Sequence, residues 1–366
     1  MKLASKIGQL LMVGFQGTTP SKEIQDLIKR HHIGGVILFS RNIKDPVQCE
    51  KLTDALQKLS TDAPLLIAVD QEGGRVSRLA PPFTQFPPAR ALGQADSVTL
   101  TYSCAEAMAK ELVAVGINMN FAPVLDVDTN PKNPIIGDRS FGSNPTLVSK
   151  HGLAMIVGMH DQKIIACGKH FPGHGDTAAD SHETLPVVNH PISRLADLEF
   201  KPFIHAVENR LSCIMTAHVR YAQLDEKFPA SLSKKLISQL LRKTIQFEGV
   251  VVTDDLEMKG ITDGFTVPEA AVKAVQAGSD LVLICHSPEQ QTAALEALIH
   301  AVETGTISEA RLNDSLNRLL RLKESFLLPR RSPHPKQVNQ VVGCEAHVAL
   351  VKEIEKKSKA ALEKKA

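Results

Sequence analysis

Residues 164–182 have the sequence IIACGKHFPGHGDTAADSH, in which an apolar run leads directly into a loop of titratable side chains. The loop holds one lysine, three histidines and two aspartates among one proline and two glycines. Packing does not account for so many ionisable groups, whereas catalytic groups are commonly carried on the loops of a rigid scaffold. The stretch therefore predicts a β-strand whose end opens into an active site.

Seven other short apolar runs, rich in β-branched residues, share the strand pattern of residues 164–168. The eight runs lie at 11–15, 35–39, 65–69, 118–124, 164–168, 213–217, 250–253 and 281–285. Segments with apolar residues three and four positions apart separate them and predict helices at 21–31, 46–59, 98–115, 145–161, 197–209, 234–244, 268–277 and 288–303. This alternation predicts parallel strands joined by right-handed crossovers.

The number of strands distinguishes between two α/β architectures. Eight parallel strands close a barrel, and the runs are apolar on both faces, as barrel strands are. A doubly wound sheet would normally carry a G-x-G-x-x-G turn after its first strand, and the corresponding segment here is GFQGTTP. We therefore expect an α/β fold of the (β/α)8 TIM-barrel type.

One domain is expected to contain the barrel, with a helical extension after it. The barrel should occupy residues 1–328, and residues 329–366 should form a linker and a C-terminal amphipathic helix. The linker pattern FLLPRRSPHPKQ (326–337) holds three prolines and follows the end of the helical pattern at Arg321. Four apolar residues of the last segment share one helical face: Val348, Val351, Ile354 and Ala361. We therefore expect that helix to pack on the outside of the barrel.

Charge and composition exclude several kinds of binding surface. The net charge is +2, but residues 352–366 alone hold six lysines and three glutamates, so the rest of the chain is near −1 (+2 minus +3). A chain of this charge has no basic body for a nucleic-acid partner. Aromatic residues make up only 4% of the chain, which favours a small pocket over a long groove of stacking aromatic rings.

The cysteines, the N-terminus and the apolar runs bear on cellular location. The six cysteines are scattered and form no C-x-x-C pair, which indicates a reducing compartment rather than a disulfide framework. The N-terminus has neither the apolar core nor the cleavage pattern of a signal peptide. No apolar run approaches the roughly 18 residues of a membrane span. We expect a soluble, cytoplasmic monomer with no cofactor and no membrane or nucleic-acid partner.

Polar side chains follow the apolar runs at the end where the active site of such a barrel lies. Those that come just after a run are Asp70, Asp126, Asp128, Lys169, His170, His218, Asp254, Asp255 and His286. Because the carboxyl ends of all the strands meet at one face of a barrel, we expect these residues to converge.

Two features of this face suggest nucleophilic and acid–base chemistry. Asp254 follows the most apolar run and is placed to act as a nucleophile, although Asp254 or Asp255 could instead cap the following helix. Asp180 and His182 lie two residues apart and can project to one side, where the carboxylate would orient the imidazole and raise its basicity. A polar loop pair without chemistry is the alternative for Asp180 and His182.

A further group of residues is suited to holding the oxygen atoms of a polar ligand. These residues are Lys169 and His170 at a strand end, Arg78 and Arg139 on neighbouring loops, and Asp70. The two acceptor oxygens of Asp70 suit a pair of adjacent hydroxyls. Two structural alternatives stay open: Arg139 could pair with Asp126 or Asp128, and Asp70 could cap a loop.

The histidines at 170, 174 and 182 raise the question of a metal site. Their spacings permit zinc, but H-E-x-x-H and H-x-H patterns are absent, and His174 lies between two glycines rather than on a rigid helix. We expect no metal.

Three sequence elements together resemble those of family 3 glycoside hydrolases and, within that family, of the β-N-acetylglucosaminidase branch. They are KHFPGHGDTAADSH (169–182), DQEGGRVSR upstream (70–78) and VVTDDLEMKGI downstream (251–261). The resemblance covers about residues 5–325. Its most specific part is GDTAADSH, because other branches of the family lack this Asp–His pair.

The resemblance implies a role for each residue that matches the family's motifs. Asp254 matches the nucleophile, and Asp180 with His182 matches the dyad that serves this branch as general acid/base. The positions that bind the N-acetylglucosamine ring match Asp70, Arg78, Arg139, Lys169 and His170. Asp255 is given no chemical role.

The activity implied by the resemblance is exo-acting, retaining removal of terminal N-acetylglucosamine from muropeptides of the GlcNAc-1,6-anhydro-MurNAc type, in peptidoglycan recycling. The Gly- and Pro-rich middle of the loop is interpreted as a hinge that lets Asp180 and His182 approach Asp254 when sugar is bound. A β-glucosidase and a glycoside phosphorylase are the alternatives on the same fold. A catalytically silent sugar-binding barrel is the alternative from another class.

Overall fold

The computed structural model describes residues 2–329 and 335–364, with the backbone alone at 335–337. Its strands are β1 (Leu11–Val13), β2 (Gly35–Leu38), β3 (Leu66–Val69), β4 (Met119–Asn120), β5 (Ile165–Phe171), β6 (Val187–Val188), β7 (Cys213–Thr216), β8 (Arg220–Tyr221), β9 (Val250–Asp255) and β10 (Leu281–Ile284). Within these residues, eight parallel strands close a barrel in the order β1, β10, β9, β7, β5, β4, β3, β2. Each predicted run coincides with one barrel strand, although β5 and β9 continue past the ends of their runs, and the TIM-type barrel is confirmed.

The barrel strands are buried on both faces. Every residue of β2, β3 and β10 is buried, because helices cover the outside of the barrel and side chains fill its inside. Strand β9 extends further than its neighbours and carries Asp254, which is half-buried, out of the core. Strands β6 and β8 pair with each other outside the barrel and join the loop after β5 to the loop after β7.

Fourteen α-helices are described in this part of the chain. They are α1 (Leu3–Gly8), α2 (Lys22–His31), α3 (Pro46–Leu59), α4 (Ala89–Ala95), α5 (Val98–Ala114), α6 (Pro145–Asp161), α7 (Ile192–Asp197), α8 (Phe200–Glu208), α9 (Lys259–Thr262), α10 (Val267–Ala277), α11 (Pro288–Glu303), α12 (Glu309–Leu327), α13 (Pro335–Val341) and α14 (Glu345–Glu363). Helices α3, α6 and α11 begin at a proline, and the residues before them, Asp45, Asn144 and Ser287, accept N–H groups of the first turn. Proline and these caps are favoured at helix starts, which is why the predicted starts agree.

The structure differs from the predicted helical pattern at three places. Residues 197–209 are not one helix, because the chain breaks at Leu198 and Glu199 between α7 and α8. Residues Lys235–Thr244 form a π-helix rather than an α-helix. Helix α12 continues past Arg321 to Leu327, because Leu322 and Leu327 remain buried against the core. The first part of the predicted linker is therefore helical, and residues 330–334 of it lie outside the described residues.

The last helix, α14, lies on the outside of the barrel against α4 and α5. Val351 and Ile354 are buried there, whereas Val348 is 39% exposed. None of the described helices is both long enough and apolar enough to cross a bilayer.

Candidate active site

A cavity of about 490 Å³ opens where the barrel strands end. Seven of the eight predicted site residues line it: Asp70, Arg78, Arg139, Lys169, His170, His182 and Asp254. The eighth, Asp180, is hydrogen-bonded to His182. A larger open groove of about 950 Å³ lies between residues 222–228 and 305–308 and is lined by none of them. The smaller cavity has the size and the convergent polar groups of a small-ligand site.

Asp254 presents its carboxylate to this cavity from the end of β9. Its Oδ1 accepts the backbone N–H of Asp255 at 2.9 Å. Burial alone would raise the pKa of Asp254, but the charges of His218 and His170, together with that N–H group, lower it below its usual value. The Nε2 of His218 lies 2.8 Å from the Asp255 carbonyl, and because a carbonyl only accepts, this nitrogen donates. Asp254 is therefore an ionised carboxylate at neutral pH.

Asp255 is held away from Asp254, at the junction between β9 and β10. Its Oδ1 accepts the N–H groups of Glu257 and Cys285, each at 3.2 Å, and its Oδ2 lies 3.4 Å from His286 Nε2. Burial above all, with the carboxylates of Glu257 and Asp254, raises the pKa of Asp255 to about 7. Neither aspartate caps the next helix, α9. The two neighbouring carboxyl groups thus have different environments, which shift their pKa values in opposite directions.

Asp180 and His182 form a hydrogen-bonded pair. One oxygen of Asp180 accepts both the backbone N–H and the Nδ1–H of His182, each at 2.8 Å. Since a carboxylate only accepts, the proton lies on Nδ1 and Nε2 is free for a ligand. The His182 side chain is 61% exposed, so this nitrogen is accessible. Burial would raise the pKa of Asp180, but the contacts with His182 lower it.

The middle of this loop is closely packed and hydrogen-bonded. A Cβ atom at Gly175 would lie 1.8 Å from the carbonyl oxygen of Val127, so only glycine fits this contact. His174 is buried, with Nδ1 2.8 Å from Thr177 Oγ1 and Nε2 3.0 Å from Ser181 Oγ. These contacts pack the Gly- and Pro-rich middle of the loop against the barrel in this structure, and the hinge expected there stays a prediction.

Lys169 and Arg139 are joined by a buried carboxylate, that of Glu72. Lys169 Nζ lies 2.6 Å from Glu72 and 2.7 Å from Asp70. Arg139 donates from Nε and one terminal nitrogen to the two oxygens of Glu72, at 2.8 and 2.9 Å. Arg139 therefore pairs with Glu72 and not with either aspartate after β4, which the sequence had offered as its structural partner.

The charges in this group stabilise one another. Burial would raise the pKa of Glu72, but Lys169 and Arg139 hold it well below its usual range. The pKa of Lys169 is raised, because the attraction of Asp70 and Glu72 outweighs its burial. Arg78 lies 3.8 Å from Asp70 at the edge of the group. Three cations and two carboxylates thus meet in fixed positions, with donors and acceptors for a polyhydroxylated ligand.

His170 is oriented by Asp126. Its Nδ1 lies 2.7 Å from Asp126 Oδ2, and its backbone N–H lies 3.1 Å from Oδ1. Asp126 is fully buried, and although burial would raise its pKa, the charge of His170 lowers it. This contact aims the Nε2 of His170 toward Arg139, at 3.4 Å.

Three residues that organise the site were not predicted as part of it: Glu72, Asp126 and His174. Glu72 lies within DQEGGRVSR, two residues after Asp70, so its position beside a predicted ligand-binding residue was the available signal. Asp126 was noted as a strand-end residue but not as the partner of His170. His174 was weighed only as a metal ligand.

No group of three or more His, Cys, Asp or Glu side chains within residues 2–329 and 335–364 is arranged to hold a metal ion. The ring nitrogens of His174 are both engaged by hydroxyl groups, and Nδ1 of His170 is engaged by Asp126. The histidines of the loop thus have other hydrogen-bonding partners.

Comparison with known proteins gives a consistent result. The family model described as the glycosyl hydrolase family 3 N terminal domain matches residues 2–322. A beta-hexosaminidase from Alkalilimnicola ehrlichii is 41% identical over 308 residues, which are 82% of this chain and 87% of that protein. Beta-hexosaminidase A from Pseudoalteromonas piscicida is 36% identical over 363 residues, and the match spans 92% of this chain but only 60% of that relative's length.

Among solved structures, one described as a glycoside hydrolase family 3 beta-N-acetylglucosaminidase from Paenibacillus sp. str. FPU-7 is 44% identical, with a TM-score of 0.95. The alignment covers 98% of this chain and 69% of that one. At this coverage the alignment must extend past Leu327 into the segment after the barrel, so both chains share more than the barrel alone.

Proposed function

The chain belongs to glycosyl hydrolase family 3, a family of glycoside hydrolases, and from this premise we propose that it is an exo-acting, retaining β-N-acetylglucosaminidase. One observation carries the proposal. A single cavity of about 490 Å³ brings the carboxylate of Asp254 together with the imidazole of His182 and with five polar residues suited to a sugar ring. The names of the similar proteins support the choice of N-acetylglucosamine.

In the first step of the proposed reaction, His182 starts in its doubly protonated form and gives the proton on Nε2 to the leaving oxygen. Asp180 orients the ring through Nδ1, so the proton is transferred from Nε2. The carboxylate of Asp254 attacks the anomeric carbon as the bond to the leaving oxygen breaks. The product of this step is a glycosyl ester on Asp254 and a free alcohol.

In the second step, His182 acts as a base toward water. The water oxygen attacks the anomeric carbon, the ester bond to Asp254 breaks, and the proton returns to His182. The low pKa of Asp254 supports both steps, because it keeps the carboxylate ionised as nucleophile and makes it a good leaving group. In most retaining enzymes the two catalytic groups are carboxylates about 5 Å apart. Here one of the two groups is the imidazole of His182, so the distance between carboxylates is not a criterion for this pair.

Asp70, Arg78, Arg139, Lys169 and His170 hold the terminal sugar in this proposal. Lys169 and Arg139 present donors fixed by Glu72, and Asp70 presents acceptors to adjacent hydroxyls. The cavity is too small for a long polysaccharide, which supports exo-acting cleavage of one terminal ring.

We further propose that the substrate is a muropeptide and that the enzyme works in the cytoplasm. The six cysteines are all free, and five of them are buried, which suits a reducing compartment. Incubation with a GlcNAc-1,6-anhydro-MurNAc peptide should release free N-acetylglucosamine, observed by mass spectrometry. Release from an aryl glycoside but not from this muropeptide would reject the substrate assignment and leave the activity assignment standing.

Parallel assays test the activity itself. The ratio of kcat/KM for an aryl β-N-acetylglucosaminide to that for the matching aryl β-glucoside should be well above one. Addition of phosphate should give no N-acetylglucosamine 1-phosphate. A faster rate on the glucoside would favour a β-glucosidase, and formation of the sugar phosphate would favour a phosphorylase.

A further inference from the structure

Two loops that carry proposed substrate-binding residues are linked to the last described segment of the chain. We name residues 70–88 the Arg78 loop, residues 126–142 the Arg139 loop, and residues 338–363 the C-terminal segment. The C-terminal segment contacts the first loop directly and the second through α4.

The first contact is made through Glu111 of α5. Its buried carboxylate accepts the backbone N–H and the hydroxyl of Thr84 in the Arg78 loop, at 3.0 and 2.5 Å. It also accepts the backbone N–H of Gly343 at 3.0 Å and lies 2.8 Å from Nδ1 of His347. One carboxylate with 1% residue exposure thus joins the Arg78 loop to the C-terminal segment.

Gly343 also contacts the Arg78 loop by close packing. Its φ of +65° belongs to the left-handed region, and a Cβ atom there would lie 2.1 Å from the carbonyl oxygen of Pro82. The turn before α14 therefore requires glycine for its conformation and for this contact.

Hydrogen bonds within the Arg78 loop extend these contacts to the cavity. Gln85 Nε2 donates to the carbonyl of Leu79, the residue after Arg78, at 3.1 Å. The N–H of Gly74 donates to the carbonyl of Phe86 at 2.8 Å. Displacement of the loop at its outer end would therefore displace Arg78.

The second contact passes through α4. Ser358 of α14 donates to the side-chain oxygen of Gln94 at 2.8 Å. On the same short helix, Arg90 donates to the carbonyl of Gly137 in the Arg139 loop at 2.9 Å and pairs with Asp128 of that loop. Helix α4 is thus held between α14 and the loop that carries Arg139.

We propose that the C-terminal segment positions Arg78 and Arg139 for substrate, with His347 and Ser358 as its positioning residues. The inference rests on the proposed function, because it takes Arg78 and Arg139 as groups that bind the sugar. The alternative is that α14 only covers apolar surface of α4 and α5, in which case its polar contacts would not affect substrate binding.

His347→Ala, Ser358→Ala and the conservative His347→Asn test the inference in the full chain. Lys352→Ala, on the exposed side of α14, is the matched control. In His347→Ala we expect the rate of amide hydrogen exchange in the Arg78 loop to rise roughly tenfold. The reason is that loss of a hydrogen bond to a charged group shifts the local opening equilibrium by about this factor. In Ser358→Ala the rise should occur in α4 and the Arg139 loop.

The kinetic expectation is a change in KM without a matching change in kcat. For the aryl β-N-acetylglucosaminide, KM should rise about three- to tenfold in His347→Ala, with kcat within about twofold, because the acid–base pair and Asp254 lie outside the Arg78 and Arg139 loops. His347→Asn keeps a donor and should restore KM. Lys352→Ala should behave as wild type.

Unchanged exchange and unchanged KM in both His347→Ala and Ser358→Ala would overturn the inference. Changes of the same size in kcat and in KM in every variant, including Lys352→Ala, would also overturn it. If the wild type turned over no N-acetylglucosaminide while exchange of both loops still rose in the variants, the proposed function would fail and the positioning contacts would stand.

Discussion

The Nε2 atom of His174 lies 3.0 Å from the hydroxyl of Ser181, the residue that precedes His182. The other ring nitrogen lies 2.8 Å from the hydroxyl of Thr177. Burial, with the charge of His170, lowers the pKa of His174 to about 4, so the ring is neutral near pH 7. His174 thus holds the loop segment that leads to His182 as a neutral ring with a single N–H, rather than as a charged proton donor.

We expect His174→Leu to lower kcat/KM by up to about 100-fold on substrates with poor leaving groups, since displacement of a catalytic group by about 1 Å can cost that much. Activated aryl substrates need little protonation and should lose far less. The difference is measured as kcat/KM across a series of substrates with different leaving groups. The His182→Ala variant is the reference, because it lacks the proposed general acid completely. Equal loss on every leaving group would show that His174 affects folding only.

The adjacent aspartates provide a matched pair of variants. Asp255→Asn should keep most of the activity at pH 6, because Asp255 has a pKa of about 7 and Asn reproduces its uncharged form and its two N–H contacts. Asp254→Asn should lose at least about 10³-fold in kcat, since it removes the proposed nucleophile. Equal activity of the two variants would contradict the assignment of these neighbours.

Glu72 should contribute strongly to stability. Glu72→Gln leaves Lys169 and Arg139 as buried cations without their shared carboxylate, which typically costs about 3–5 kcal/mol in the free energy of unfolding. The control is Asp138→Asn, which breaks the exposed ion pair with Arg75 and should cost at most about 1 kcal/mol. Urea unfolding of both variants measures the difference. A similar loss in the free energy of unfolding of the two variants would mean that the buried carboxylate stabilises the fold no more than the exposed ion pair does.

The pH dependence of stability has two opposing contributions. His174 and His160 each have a pKa of about 4, so below about pH 6.5 the unfolded chain binds protons that the native state does not, and stability falls on acidification. Asp255, with its pKa raised to about 7, is protonated in the native state at a pH where the unfolded chain is ionised, so its contribution to stability grows as pH falls.

The free energy of unfolding of Asp255→Asn should therefore fall more steeply than that of the wild type between pH 7 and pH 4. The reason is that the variant lacks the contribution that opposes the two histidines. Chemical unfolding at half-unit steps of pH measures both slopes. A shallower slope in the variant would show that the pKa of Asp255 is not raised.

The barrel could be predicted from the sequence because each strand is short, apolar and buried on both faces. A strand with one face in water would have a polar residue at every second position, and runs such as 281–285 have none. The pattern therefore identifies a parallel strand that is covered on both faces. The break at Leu198 could not be predicted, because the apolar periodicity continues through it into α8. The π-helix at Lys235–Thr244 leaves no local signal either.

The positions of the site residues could be predicted because they follow strand ends, whereas their partners could not. Glu72 pairs with Arg139 across 67 positions of the chain, and no local pattern records such a distance. The packing of the loop after β5 could not be predicted either, since a glycine at 175 is compatible with a hinge and with a close contact. The carbonyl oxygen of Val127, which makes the close contact, comes from another loop.

Trapping of the glycosyl-enzyme intermediate tests most directly whether Asp254 is the nucleophile of an N-acetylglucosaminidase. A 5-fluoro N-acetylglucosaminyl fluoride should inactivate the enzyme with time, and intact mass should show one added sugar. Peptide mapping should place that sugar on Asp254, and the Asp254→Asn protein should remain unlabelled. A stable adduct on any other residue, or turnover of the reagent by the Asp254→Asn protein at the wild-type rate, would contradict the account.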